Sequence, residues 1–214
     1  MPGAGWVDDS DLVLFTPTSL GEHTAGTFSL FFNGSRIGLT HSGEDIDAVE
    51  IDGDDLYLST SGNFKLGDGL KGKDEDVFAC RGFTTAGRGS SCDDTGIVFD
   101  GSRHGLTSTS QEDVDAFALT PGGNAPDERA FFSTTGNYRT RSTSGGESDI
   151  FSCRFPEFDD GLDPEPTPTN FNGDLSDCGV SLSPLETVFR ADRHFIDSDV
   201  MAIAFPSREV DDEA

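Results

Sequence analysis

Basic residues and long apolar stretches are what this sequence has least of. Its 214 residues include 14 Lys and Arg against 40 Asp and Glu, which gives a formal net charge of −26. A surface of this charge repels phosphate backbones, which argues against nucleic-acid binding. No stretch approaches the roughly 18–20 apolar residues of a membrane span, which argues against membrane insertion. Residues 1–9 have neither a basic start nor an apolar core, so no signal peptide is predicted.

Lysine is especially scarce, with only Lys65, Lys71 and Lys73 in the whole chain. A high charge can indicate disorder, but here the acidic residues alternate with Phe, Val, Ile and Leu in regular patterns. The other interpretation is adaptation to multimolar salt, where charges are screened over about 3 Å. The acid-rich, lysine-poor composition resembles that of haloarchaeal proteins and of proteins of their viruses. That resemblance implies a halophilic source.

Four blocks of sequence, which we name A, B, C and D, recur in the same order along the chain. Such a recurrence predicts an internal duplication. Full copies lie at 31–39 and 98–106 (A), 44–49 and 112–117 (B), 56–64 and 130–138 (C), and 76–81 and 149–154 (D), with partial copies at 10–15 (D), 189–195 (A) and 197–203 (B). The sequence therefore predicts one all-β repeat domain over 1–214, with units at about 8–72, 73–145 and 146–205 and a Pro- and Asp-rich insert at 156–175.

Each block is a short apolar run rich in β-forming residues and bounded by Gly, Asp, Ser or Thr, which predicts strands. The pairs Asn33-Gly34, Asp100-Gly101 and Asp52-Gly53 predict tight hairpin turns with positive φ. Only Ser183–Arg190 predicts a turn or two of helix. The predicted fold class is all-β: repeated small antiparallel sheets with a propeller-like or pseudo-threefold arrangement and loops held by disulfides.

The blocks resemble a tandem repeat of extracellular bacterial and archaeal proteins, with the pattern F-D-G-S-x-x-G-L, E-D-V-D-A, L-x-L-S-T-x-G and D-E-D-V-F. The third copy departs from it, with Ala191 in place of Gly and Met201 in place of Asp. The resemblance implies a β fold and an extracellular location, and it implies no catalytic residues.

The four cysteines follow the repeat. Cys80 and Cys153 occupy the same position of block D, and Cys92 and Cys178 follow them. The repeat register predicts the disulfides Cys80–Cys92 and Cys153–Cys178, one of three possible pairings. Free thiols and a four-thiolate zinc site are the alternatives, although no C-x₂-C spacing occurs. Disulfides without an export signal indicate a virion protein, or a secreted protein whose signal peptide is missing from this sequence.

Two carboxylate pairs recur in block B: Asp45 with Asp47, and Asp113 with Asp115. Residues i and i+2 of a strand project from one face, and such pairs with backbone carbonyls could bind Ca²⁺. A salt-adapted surface or a structural pairing is the competing interpretation. Catalysis of glycoside hydrolysis also needs two carboxylates, but an active site usually occurs once and these pairs occur twice.

Three arginines, Arg36, Arg103 and Arg193, also recur, each before an acidic block. Because basic residues are scarce, each is predicted to be structural, with a bidentate bridge to the Asp that follows. An anion or glycan site is the alternative.

Three functions follow from these patterns. The first is a non-enzymatic structural or adhesive protein of a halophilic virus particle: a tail, fibre, turret or capsid-decorating subunit on the virion surface. Its partners would be copies of itself, other particle subunits and a host surface glycoprotein or glycan, with no cofactor other than Ca²⁺. The second is a secreted or surface-anchored module of a haloarchaeon that binds glycan or S-layer. The third is a propeller-type hydrolase, for which only Asp159, Asp160 and Asp163 of the insert are candidates.

Overall fold

The computed structural model describes residues 6–85, 89–107, 111–119, 129–141 and 143–154, with only the backbone at Arg129, Cys153 and Arg154. No helix among these residues is long and apolar enough to cross a membrane. The strands are β1 (Asp11–Ser19), β2 (Ala25–Asn33), β3 (Ile46–Asp52), β4 (Asp55–Thr60), β5 (Phe64–Lys65), β6 (Lys71–Gly72), β7 (Val77–Arg81), β8 (Asp94–Phe99), β9 (Val114–Leu119), β10 (Arg129–Thr134), β11 (Tyr138–Arg139), β12 (Ser144–Gly145) and β13 (Phe151–Arg154). A 3-10 turn (Gly34–Arg36) follows β2, and a short helix α1 (Gly101–His104) follows β8.

The strands form small antiparallel sheets whose order follows the sequence blocks. A four-stranded sheet has the order β3-β4-β7-β8, which is the block order B, C, D, A. A three-stranded sheet has the order β13-β10-β9, which is D, C, B, and β1 pairs with β2 as D with A. The prediction of small antiparallel sheets is therefore confirmed. The propeller-like or pseudo-threefold arrangement stays a prediction.

The two larger sheets share one register between blocks C and D. In the first, Leu56 pairs with Cys80 and Leu58 with Phe78. In the second, the same block positions pair, as Ala130 with Cys153 and Phe132 with Phe151. The duplication seen in sequence is therefore also a duplication of strand pairing.

Both faces of the four-stranded sheet are covered, because successive side chains of a strand point to opposite faces. Leu56 and Leu58 of β4 pack on one side with Phe32 of β2. Tyr57 points to the other side, where its ring lies 5.9 Å from that of Phe117 in β9. The sheets thus stack face to face, and the cores lie between them.

Two of the three predicted hairpin turns are wrong. Asp52-Gly53 does join β3 to β4, with Gly53 at φ +58°. Asn33 and Asp100 instead cap short helical turns, and their side chains accept hydrogen bonds from the N–H groups three residues on. Asn and Asp are favoured caps for this reason, so N-G and D-G pairs do not by themselves predict hairpins.

Several predicted features lie outside the described residues. They are the insert at 156–175, most of the third unit with Ser183–Arg190, and the residues Cys178, Arg193, Asp159, Asp160 and Asp163.

A glycine in α1 gives a direct test of the packing between sheet loops. A Cβ added at Gly101 would meet the carbonyl oxygen and side chain of Glu75, whereas one added at Gly67 meets only Ile37 backbone atoms at 3.5 Å or more. We expect Gly101→Ala to lower the free energy of unfolding by roughly 2 kcal/mol or more, and Gly67→Ala to change it little. Denaturation in urea at 3 M KCl measures both variants. Equal effects would contradict the close approach.

Candidate functional site: carboxylates between neighbouring sheets

The recurring acids lie where one sheet meets the next. Asp45 precedes β3 and Asp113 precedes β9. The N–H of Ile46 donates to the carbonyl of Asp9 at 3.2 Å, and the equivalent N–H after Asp113 donates to the carbonyl of Asp74 at 3.0 Å. Each block B is thereby attached to the loop that precedes a block D strand.

Glu44 is a buried carboxylate whose partners are backbone N–H groups. Its Oε2 accepts from Thr40 at 2.6 Å and from His41 at 2.7 Å, and its Oε1 accepts from Lys65 at 3.0 Å. Burial raises the pKa of Glu44, but the N–H groups of His41, Thr40 and Lys65 outweigh this effect and hold the pKa below its ordinary value. Glu44 is therefore ionised and joins the loop before β3 to β5.

The second unit repeats this arrangement. Glu112 accepts hydrogen bonds from the N–H groups of Thr107 and Arg139, both at 2.7 Å. Asp76 likewise accepts a hydrogen bond from the N–H of Gly101 at 3.0 Å. In the preceding unit, Asp11 accepts one from the N–H of Gly34 at 3.2 Å. These carboxylates occupy equivalent positions and satisfy backbone donors that would otherwise be buried without partners.

Asp47 faces an acid of the next unit. Both carboxylate oxygens of Asp47 are buried without an N–H or O–H donor among the described residues. A hydrogen bond to Asp113, across the boundary between β3 and β9, therefore needs a proton on one of the two acids. Burial, then the charge and hydrogen bond of Asp113, and then the charge of Asp115 raise the pKa of Asp47 to about 9. Two interacting buried carboxyl groups titrate as a pair, and one proton shared between them avoids two adjacent negative charges.

Further acids extend this cluster. Asp74 is only 4% exposed, and burial, the hydrogen bond and charge of Glu75, and the charge of Asp113 raise its pKa to about 7. At the preceding boundary, burial and then the charge of Asp9 raise the pKa of Asp45. The sheet boundaries thus bring carboxyl groups together, and burial there favours their protonated forms.

The sequence pairs do not act as pairs within one strand. Asp45 faces Asp9, Asp47 faces Asp113, and Asp115 accepts a hydrogen bond from the hydroxyl of Ser133 at 2.7 Å. In the part of the chain that the structure describes, no group of three or more His, Cys, Asp and Glu side chains could hold a metal ion. Calcium binding at these residues stays a prediction from the sequence.

Replacing Asp47 by Asn tests the shared proton. An Asn amide can donate to Asp113 without a proton from solvent, so we expect Asp47→Asn to raise the free energy of unfolding at pH 7 by about 1–3 kcal/mol. A raised pKa contributes stability that is fully present below pH 3.8 and is lost as pH rises through about 9. The advantage of the variant should therefore grow with pH across that window.

Thermal melts at a series of pH values in 3 M KCl measure this difference. The control is Asp54→Asn, which removes an exposed carboxylate in the turn between β3 and β4. An advantage of Asp47→Asn that stays constant with pH, or that equals that of the control, would contradict the shared proton.

The recurring arginines lie in the short helical turns, where both are exposed. Nε of Arg103 pairs with Asp100 at 3.0 Å, so the predicted bridge to the following acidic block is wrong for Arg103. The helical turn explains the difference, because it places Asp100 and Arg103 three residues apart on the same face. Arg36 donates its backbone N–H to Asn33.

The disulfide Cys80–Cys92 is present, with Cα atoms 5.0 Å apart, and confirms this half of the predicted pairing. It links β7 to the loop before β8. The predicted pairing of Cys153 with Cys178 lies outside the described side chains.

Sequence reasoning missed Glu44, Glu112 and Asp74 as key residues. The signal was available, since Glu precedes the first Asp in both copies of block B and an acidic stretch precedes β7. The i, i+2 spacing does not identify these residues, because that spacing describes one strand whereas their contacts join neighbouring units.

Comparison with protein families, with curated proteins and with solved structures finds no match for this chain. The function is therefore inferred from the chain's own geometry and chemistry.

Proposed function

We propose that this protein is a non-enzymatic structural and adhesive subunit on the surface of a halophilic virus particle. The main support is the duplicated use of buried carboxylates. Glu44 and Glu112 have the same structural role in successive units, because the oxygens of each accept hydrogen bonds from backbone N–H groups. A catalytic acid must be accessible to substrate, and these are 3% and 6% exposed. Such acids belong to a scaffold.

The disulfide adds support for a role outside the cell. Cys80 and Cys92 are 12 residues apart in sequence, and the disulfide between them closes a local loop. Disulfides persist in oxidising surroundings. Stacked sheets with a covalent link and covered faces resist unfolding under changing conditions, which suits a particle component. The propeller-like arrangement of the stacked sheets is part of this proposal.

A repeated set of exposed basic residues favours the second candidate, a surface-anchored module that binds acidic glycan. Arg36 and Lys65 occupy positions equivalent to those of Arg103 and Arg139, and all four side chains are exposed. In each unit a backbone hydrogen bond joins the end of the helical turn to the loop of a two-stranded hairpin, β5–β6 in the first unit and β11–β12 in the second. Positive charge at equivalent places on an otherwise acidic surface is suited to an anionic polymer.

Fractionation of the source culture tests both candidates. Particles purified on a density gradient in high salt are treated with an amine-reactive reagent that does not cross membranes, and the chain is identified by mass spectrometry. We expect the chain to co-sediment with particles and to be labelled at the exposed Lys65 and Lys71. Recovery in the cell-envelope fraction would favour the glycan-binding module. Recovery only in the soluble cell fraction would contradict both.

A further inference from the structure

The β1–β2 ribbon is half of the sheet that its sequence blocks form elsewhere. In the four-stranded sheet, the block D strand β7 lies between a block C strand and a block A strand. In the ribbon, β1 has the block A strand β2 on one side. Among the described residues, no strand pairs with its other edge. An edge of this kind exposes backbone donors and acceptors that can pair with another strand.

The repeat identifies the part of β1 that this edge offers. Phe78, Ala79 and Cys80 of β7 pair with block C, and the equivalent residues of β13 do so in the same register. Asp11 and Asp76 are equivalent, because each accepts a hydrogen bond from the N–H of the glycine that begins a helical turn. With this alignment, the positions of β1 equivalent to 78–80 are 13–15. The sequence contains two copies of block C, and these already form β4 and β10.

The directions of the backbone N–H and C=O groups along β1 indicate the same three residues, 13–15, as the part of the edge that can pair. Pro17 has no N–H to donate to β2, and the register with β2 is unbroken from Val13 to Pro17. We infer that the nitrogen of Pro17 faces the edge opposite β2, where a strand tolerates proline. Alternation along the strand then directs the N–H and C=O groups of Val13 and Phe15 to that edge. The N–H of Asp11, which has the same parity, donates to the carbonyl of Asp8.

Leu14 lies at the centre of this edge and is 48% exposed. The N–H of Leu14 faces β2 by the same alternation, so a strand added at the edge would meet it at a non-hydrogen-bonded position. Side chains come closest together at such positions. An apolar residue there gains burial from a strand that places another apolar side chain opposite.

We propose that β1 pairs with β1 of a second copy of this chain, antiparallel, about a two-fold axis at Leu14. Val13 and Phe15 then exchange backbone hydrogen bonds with the partner's Phe15 and the partner's Val13. Two half-sheets become one four-stranded sheet, the size of the complete sheet in each chain. The antiparallel arrangement is self-complementary, as a two-fold interface requires. This inference rests on the proposed function only in assuming that the protein assembles with copies of itself.

Acidic residues flank the edge at Asp8, Asp9 and Asp11. Their repulsion across the axis opposes pairing in dilute buffer and is screened over about 3 Å at 1 M salt. The apolar and backbone contacts at 13–15 are not weakened by salt in this way. The dimer is therefore tighter at 2 M than at 0.2 M KCl.

Sedimentation velocity of the full chain at 1–200 µM in 2 M KCl tests the interface. Leu14→Lys places two like charges at the axis, and we expect the dissociation constant to rise at least tenfold. Ile51→Lys is the matched control, because Ile51 is also 48% exposed but lies in β3. It should leave the constant within twofold. A wild-type chain that stays monomeric, or equal effects of the two variants, would overturn the proposal.

Cross-linking identifies the interface directly. Opposed residues at a non-hydrogen-bonded position have Cα atoms about 4.5 Å apart, which is within disulfide range. Leu14→Cys should give a covalent dimer under mild oxidation that peptide mapping joins through position 14 in both chains, and Ile51→Cys should not. If the edge is instead covered by another part of the same chain, Leu14→Cys stays unlinked, Leu14→Lys lowers the melting temperature of the monomer, and the proposal fails.

These outcomes are independent of the particle experiment. A chain found on particles but without dimers through β1 would overturn the interface and leave the proposed function intact. A chain absent from particles that still dimerises through Leu14 would do the reverse.

Discussion

Replacing Glu44 by Gln is expected to lower the free energy of unfolding by roughly 3 kcal/mol at pH 7. The charged carboxylate accepts hydrogen bonds from the backbone N–H groups of Thr40, His41 and Lys65. An amide replaces one acceptor oxygen with a donor that faces N–H groups. Either Lys65 or the pair Thr40 and His41 then loses its partner inside a site that is 3% exposed. Urea denaturation in 3 M KCl measures the loss.

The pH dependence of this loss separates a charge effect from a packing effect. The pKa of Glu44 is lowered from 4.5, so its contribution to stability is present above pH 4.5 and is lost as pH falls through the folded value. The difference between wild type and Glu44→Gln should therefore shrink on acidification. Glu22→Gln, at an exposed position between β1 and β2, is the control and should cost little. Equal losses in the two variants would contradict the structural role.

The same chemical change should have the opposite sign at Asp47. Glu44 meets N–H donors, whereas Asp47 meets the carboxyl group of Asp113. Removal of charge destabilises the first site and stabilises the second. Composition alone cannot distinguish the two, because both are acids of block B separated by only two residues.

The strands were predictable because their signals are local. Blocks B, C and D became strands since each is a short apolar run with turn residues at its ends. Cys80–Cys92 was predictable because one further cysteine follows each full copy of block D. The duplication also carried over to strand pairing, since equal side-chain patterns bury the same faces.

What the sequence could not predict depends on contacts between units. Asn33-Gly34 has the composition of a hairpin turn, yet the Asn side chain caps a helical turn. Gly34 is needed because a Cβ there would collide with the carbonyl of Ser10 in the preceding loop. The partner of Asp47 is likewise far away in sequence, at Asp113. Periodicity within one strand contains no information about which strand of the next unit lies opposite.

The melting temperature is expected to rise by about 20 °C or more between 0.1 M and 3 M KCl. Net charge −26 repels itself over the Debye length of roughly 10 Å at 0.1 M, which reaches across neighbouring surface carboxylates. Above 1 M the Debye length falls to about 3 Å, and little repulsion remains.

Screening can be distinguished from the general strengthening of apolar burial by salt. Screening is nearly complete by about 1 M, whereas exclusion of salt from apolar surface continues to stabilise the fold at higher concentrations. A double variant, Glu22→Lys with Asp54→Lys, changes two exposed acids and moves the net charge by 4, from −26 to −22. Its melting temperature at 0.1 M should exceed that of the wild type, and the two should converge at 3 M. A melting temperature that does not depend on salt, or a double variant that is no more stable at 0.1 M, would contradict the prediction of a salt-adapted surface.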